Sequence, residues 1–317
     1  MRSAFGSTRT RFGSAAEAAF AWALILLLLA IAAGLLSGCA MLRRKGPSPE
    51  SVAASRELSR QGVAAMETGQ WQQAEDLLRK ALEASPDDAS THRSMAETLW
   101  HRGAREEANA QIEEALEHDS NNAALRVKAG EMSLAVGARE AALTHAERAI
   151  RSDPKLATAW ALRGRCFQQM NQPDRALADL HHSLEFAPET SDVLLDVAMI
   201  YRQRGQSARS LTTLHRLLDT YPPGEEPQQA MLLEGLTLLD LGRPQQATEA
   251  LVLAAQRGPP NVDVLYNLAQ AYWAAGKLEQ ATATAQQALA LDASHQPSRE
   301  LVAQLAARGG SGEVQRR

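Results

Sequence analysis

Eight histidines, two cysteines and a scatter of acidic, arginine and tryptophan side chains are the residues of this 317-residue chain that could do chemistry. Their spacing argues against catalysis. His181 and His182 are sequence neighbours, and adjacent residues on a helix point in different directions, which speaks against joint metal binding. His145 and Glu147 find no further ligand at helical spacing. Cys39 and Cys166 cannot supply a disulfide framework, and no pair or quartet of residues has zinc-ligand spacing. No Gly-rich phosphate loop, H-E-x-x-H zinc helix, G-x-S-x-G elbow or kinase signature occurs. The sequence therefore predicts a protein that is not an enzyme and uses no metal or cofactor. What remains for function is binding, for which Trp, Tyr and Arg are the residue types that dominate interface energies.

Charge narrows the partner. Of 33 basic residues, Arg2, Arg9, Arg11, Arg43, Arg44 and Lys45 lie in the first 45 positions against a single acid, Glu17, so the remainder carries nine more acids than bases. A body of that sign repels a phosphate backbone, and nucleic acid is not expected as a partner. The chain is rich in alanine and modest in Gly (20) and Pro (13), which favours close-packed helices over a sheet.

The elements that must position any binding residues show themselves through self-similarity. Small residues at Gly62, Ala96, Gly130, Gly164, Ala198, Gly235 and Ala269 recur every 34 positions, with one step of 37. Two more small columns keep the same steps, one running from Ala74 to Ala281 and one from Ala81 to Ala288, the latter broken by Leu217. A turn column reads Gly69, Gly103, Gly137, Asn171, Gly205, Gly242 and Gly276, and Pro86, Pro154, Pro188, Pro222 and Pro259 fall near unit ends. Gly and Asn tolerate the left-handed conformation that ends a helix, proline cannot continue a helix interior, and small residues let two helices approach closely. Larger apolar residues, among them Trp160, Leu194 and Met231 in first helices and Leu78, Ile112 and Leu180 in second helices, fill what remains. Cys166 stands in a column of small or apolar residues, where packing is the expected role.

This pattern resembles the tetratricopeptide repeat, a helix-turn-helix unit of 34 residues, over positions 55–295. Seven units follow, at 55–88, 89–122, 123–156, 157–190, 191–224, 228–261 and 262–295, with 296–308 as a capping helix and 309–317 as a disordered tail. The resemblance implies an all-α, right-handed superhelix whose first helices line a concave groove. Two departures stand out. His92 and Arg126 occupy places where a large apolar residue is usual, so looser interfaces are expected there, and three extra residues around Gly224 mark the expected bend between two arms.

Under the family's geometry the groove would be lined by Arg93, Glu97 and Trp100 of the second unit and by Lys128 and Glu131 of the third. Arg165 and Gln169 would come from the fourth unit, Met199 and Arg202 from the fifth. Leu232, Leu236 and Leu239 make the sixth unit's share apolar, while Tyr266, Asn267, Gln270 and Trp273 line the seventh. Trp100, Trp273, Tyr266 and Arg165 are the expected anchors. Some relatives grip a peptide carboxylate with a lysine and asparagine set; Ser59, Val63, Ser94 and Lys128 stand in the corresponding places, so that mode is not supported.

The N-terminus carries a separate signal. Residues 18–36 are uncharged and, at 1.5 Å rise, about long enough to cross the hydrocarbon layer. Leu36, Ser37, Gly38 and Cys39 resemble the lipobox of bacterial lipoproteins, which implies a signal over 1–38, lipidation of Cys39 as the mature first residue, and a linker over 39–54. The alternative is an uncleaved transmembrane helix, with Arg43, Arg44 and Lys45 holding its end in the cytoplasm. Taken together, the expectation is a membrane-tethered, non-catalytic scaffold at the cell envelope that binds protein or peptide partners. A recruiting subunit of an envelope enzyme complex, or a structural spacer, is the alternative.

Overall fold

The computed structural model describes residues 48–314, with side chains to residue 307. These residues form fifteen helices and no strand. They pair as α1 (Pro49–Glu67) with α2 (Trp71–Ala84), α3 (Ala89–His101) with α4 (Arg105–His118), and α5 (Ala123–Ala135) with α6 (Arg139–Ser152). Next come α7 (Ala157–Gln169) with α8 (Pro173–Phe186), and α9 (Ser191–Gln203) with α10 (Ser207–Leu218). The last pairs are α11 (Gln228–Asp240) with α12 (Pro244–Gln256) and α13 (Val262–Ala274) with α14 (Leu278–Leu291), and α15 (Gln296–Val314) covers the end. The described residues thus form an all-α solenoid of seven helix pairs and a terminal helix.

The turn column acts as its residue types require. Gly69, Gly103, Gly137, Gly205, Gly242 and Gly276 all have φ between 67° and 84°, and among the described residues Asn171 is the one non-glycine residue with positive φ, at 56°. At each, two backbone bonds close the helix end. Gly103 N–H donates to Trp100 O and Ala104 N–H reaches back to Leu99 O, and the same pair recurs at Asn171 and Gln172. Helix starts are fixed where a cap is available: Asp88, Asn122 and Asn261 accept backbone N–H bonds at the starts of α3, α5 and α13.

Within a pair the crossing is so close that a side chain would not fit. A Cβ on Gly62, Gly164 or Gly235 would meet Leu78, Leu180 or Leu251 at 2.7, 2.9 and 2.4 Å respectively, each leucine sixteen residues further on. Gly235→Val should therefore destabilise the chain by about 1–3 kcal/mol through overpacking. Urea unfolding measures it, and a loss below about 0.5 kcal/mol would mean the two helices have room to part.

At five of the six junctions between units the successive first helices also touch one another, whereas second helices meet the next unit mainly through its first helix. The first helices therefore lie on the inner side of the curve. The core crosses unit boundaries: one cluster contains Leu180 and Leu184 of α8, Val193 and Ile200 of α9, Leu214 and Leu217 of α10, and Ala230 and Leu233 of α11. Leu217, the intruder in a small-residue column, is buried in that cluster. The insertion around Gly224 does not interrupt it. Glu226 accepts from Gly224 N–H at 2.9 Å and pairs with Arg257 at 3.2 Å, tying the extra residues to the end of α12.

The structure gives His92 and Arg126 a role that sequence reasoning did not see. His92 Nε2–H donates to Pro86 O at 2.7 Å and leaves Nδ1 2.8 Å from the Gln111 side-chain amide. Arg126 donates to Ser120 O, Trp160 Nε1–H to Pro154 O at 2.8 Å and Arg299 Nε–H to Ala293 O at 2.8 Å. In all four the side chain caps a carbonyl six residues earlier, in the turn between units. The polar residues satisfy the same acceptor as the tryptophan, so their polarity is put to use instead of being buried without a partner.

Two expectations require correction. No helix among the described residues is long and apolar enough to cross a membrane, so the transmembrane and membrane-localised description is withdrawn. The physical reason is patterning: α1, with 19 residues, is long enough, but Glu50, Arg56, Glu57, Arg60 and Glu67 interrupt it. Residues 18–36 and Cys39, on which the span and the lipidation were placed, lie outside the described residues. The terminal helix continues to Val314, past position 308. Once a helix is nucleated, each further residue adds a hydrogen bond at small cost.

Candidate functional site

The inner face of the first helices carries three clefts in sequence order. The first, about 220 Å³, lies between α3 and α5 and is lined by Trp100, Lys128, Glu131, Met132 and Ala135. A second of about 440 Å³ spans α5, α7 and α9 and is lined by Leu134, Arg165, Gln168, Gln169, Asp196, Met199 and Gln203. The third, about 700 Å³, is bounded by Leu239 of α11, by Gln270, Trp273 and Ala274 of α13, and by Gly276 and Leu278. Helical periodicity explains the set. Residues at i, i+3, i+4 and i+7 share a face, so the part of a first helix not used against its partner projects inward.

Charge along this face is paired between units. Lys128 Nζ lies 3.7 Å from Glu97, Arg165 bridges Asp196 at 2.6 Å and Asp192 at 2.5 Å, and Arg202 meets Asp240 at 2.7 Å. Burial pushes the Asp196 carboxyl above the ordinary carboxylate range, with Arg165 opposing the shift and Asp192 adding to it. Desolvation between the flanking helices likewise raises Glu131, against the pull of Lys128 and Arg165. Both shifts are those of carboxyl groups in a concave, partly dehydrated lining. Arg165, expected as an anchor, is thus committed to two carboxylates. The middle of the face is an ion-pair ladder in which carboxylates outnumber cations, not a row of free charges.

The apolar end differs. Leu232, Leu236 and Leu239 are half-buried on α11. Tyr266 accepts a 2.6 Å bond from Gln270 and meets the His295 ring edge-on at 5.5 Å, while Trp273 packs beside Leu301 and Leu305 of α15 and still borders the third cleft. Asn267 donates to Asp263 O one turn back, a local bond at 2.7 Å.

The structure thus brings thirteen of the sixteen expected groove residues into clefts, ion pairs or bonds along one face, while Leu232, Leu236 and the exposed Arg93 border none of the three clefts. Trp100 is half-buried, packing against two core clusters with the Arg105 guanidinium 5.2 Å from its ring centroid. Sequence reasoning missed Asp192 and Asp240 as ion partners. Their offsets, 27 from Arg165 to Asp192 and 38 from Arg202 to Asp240, share no step with the 31 that separates Lys128 from Glu97 and Arg165 from Asp196, so no single period along the sequence finds them.

Among the described residues no three His, Cys, Asp or Glu side chains converge as metal ligands. Cys166 is fully buried, and desolvation pushes its thiol up to about 12, so it is protonated and inert.

Comparison with known proteins fits this geometry. No curated protein matches the sequence. A tetratricopeptide repeat protein from Parabacteroides merdae is 17% identical with a TM-score of 0.60, covering 80% of this chain and 99% of that one. The Pseudomonas aeruginosa pilF structure is 19% identical with a TM-score of 0.53, over 80% of this chain and 99% of that one. Yeast Tom70 is 17% identical with a TM-score of 0.53, over 84% of this chain and 55% of that one. At these identities the likeness speaks to the fold alone. Profiles of the tetratricopeptide repeat match residues 65–130 and 238–305, and a further one matches 195–263, together more than half of the sequence. With seven helix pairs in the phase of the glycine column, the chain belongs to the tetratricopeptide repeat family.

Proposed function

We propose that the protein is a non-catalytic scaffold that holds a protein or peptide segment along the inner face of its first helices. The single observation that carries this reading is the run of three clefts on that face, from Trp100 to Trp273, on a lining already formed by the packed first helices. Recognition would need no turnover and little reorganisation, which favours affinity because few side chains have to be ordered on binding. The ion-pair ladder leaves Arg165 and Arg202 already partnered in the middle of the groove, so the segment there would be met by Gln168, Gln169 and Gln203 as hydrogen-bonding groups. At the far end, Leu239, Trp273 and Leu278 would take an apolar side chain.

Site-specific photo-crosslinking in the full chain tests the reading. A crosslinker placed at Gln169 or Gln270, inside the groove, should capture a partner that one placed at Glu185, on the outer helix α8, does not. Equal capture from Glu185 would count against the groove.

A further inference from the structure

Away from the groove, a cleft of about 550 Å³ is lined by Asn121, Arg126, Arg148, Arg151 and Ser152. It lies at the turn between the second and third units, where the start of α5 meets the end of α6. Arg148 and Arg151 are three apart on one face of α6 and exposed, and Arg126 faces them from α5. None of the three guanidiniums makes an ion pair among the described residues. The nearby carboxylates are engaged elsewhere: Asp119 accepts from the Asn122 amide at 2.8 Å, Asp153 from Lys155 N–H at 3.0 Å, and Glu113 faces His145 at 3.2 Å.

Three unpaired arginines in one cleft are unusual on this chain. Beyond position 45 it carries an excess of nine acids, and most other arginines of the first helices have found a carboxylate. A cation in the last turn of a helix meets the carbonyl ends favourably, which accounts for Arg151 but not for Arg126 or Arg148. Arg126 spends one donor on Ser120 O, and a guanidinium has five. The positive field is felt next door: burial first, then Arg126 and Arg148, hold the His145 imidazole below its usual range despite Glu113.

We propose that this cleft binds a phosphate monoester carried on a serine or threonine side chain of a partner segment. One arginine fork saturates a carboxylate, whereas a phosphate dianion has three terminal oxygens and can accept from several forks at once. Asn121 and Ser152 add neutral donors at the rim. A nucleic-acid backbone would need a row of such sites, and the rest of the surface has the wrong sign.

The test uses the full chain and a fluorescein-labelled seven-residue peptide, phosphoserine flanked by glycine and alanine, with its unphosphorylated twin, at low ionic strength. Anisotropy should show the phosphopeptide binding about tenfold or more tightly than its twin, with inorganic phosphate competing. The double variant Arg148→Ala, Arg151→Ala, both exposed positions, should lose that preference with circular dichroism unchanged, while Trp273→Ala keeps it. Equal affinity for the two peptides overturns the proposal, as does a preference that survives the double variant. Binding of inorganic phosphate without any peptide preference overturns the assignment to a partner-borne group.

Discussion

Replacing Arg163 by methionine should lower stability by about 3–5 kcal/mol, the largest effect expected of any single substitution in the fourth unit. Asp179 on α8 is only 5% exposed, and its two oxygens are held by Arg163 Nε at 2.6 Å and Nη2 at 2.8 Å. The pairing raises the Arg163 pKa, its hydrogen bond to Asp179 being the largest cause. The guanidinium also lies 4.8 Å from the Trp160 ring centroid. Methionine keeps the aliphatic bulk and removes the charge, which leaves a carboxylate in the interface between α7 and α8 with nothing to neutralise it. That residual charge, not the lost attraction, is the source of the cost. The double variant Arg163→Met, Asp179→Leu should consequently recover most of the loss. Urea unfolding of wild type, the single and the double variant measures both, and a single-variant loss under about 1 kcal/mol would show that water already screens the pair. Because each unit contacts only its neighbours, hydrogen exchange should rise first in α7 and α8 and less at either end of the solenoid.

The same pair shows what the sequence makes legible. Every feature set by local spacing could be read in advance: the left-handed turn at Asn171 follows from an Asn standing in a glycine column, and Gly235 against Leu251 from a small residue sixteen positions before a large one. Features set by how one unit meets the next were harder to read. His92 and Arg126 were expected to loosen their interfaces, because an apolar column was taken to be needed there; the requirement is for a large side chain that also caps a turn carbonyl, which Trp160 meets with its indole N–H. Arg165 was an anchor by residue type alone. Its two carboxylates come from the next unit, at offsets of 27 and 31, which a search along single helices does not sample. The three-arginine cleft was missed for a related reason, since Arg126 is 22 residues from Arg148 and only the folding of α6 back along α5 brings them together.

Trp273→Ala should weaken partner capture by about tenfold to a hundredfold, equivalent to roughly 1.4–2.8 kcal/mol, with helix content unchanged. The ring borders the largest cleft on the inner face together with Leu239 and Leu278, and Leu278 is 41% exposed, so an apolar side chain from a partner would find matching surface there. Truncating Trp273 also loosens its packing against the cluster that includes Leu301 and Leu305 of α15, so a displaced cap is a second source of loss. Leu305→Ala separates the two causes: it disturbs the same contact from the far side while leaving the cleft lining intact. If capture falls with Trp273→Ala and holds with Leu305→Ala, the indole is a binding group. If both weaken capture equally, the seventh unit binds only as far as its cap is seated, and Trp273 is a positioning residue. Trp100→Ala gives a contrasting result. Trp100 is shared by two core clusters and covered by Arg105, so its truncation should lower stability as well as capture. Equilibrium binding and urea midpoints measured on all three variants assign each tryptophan to the groove, the core or both.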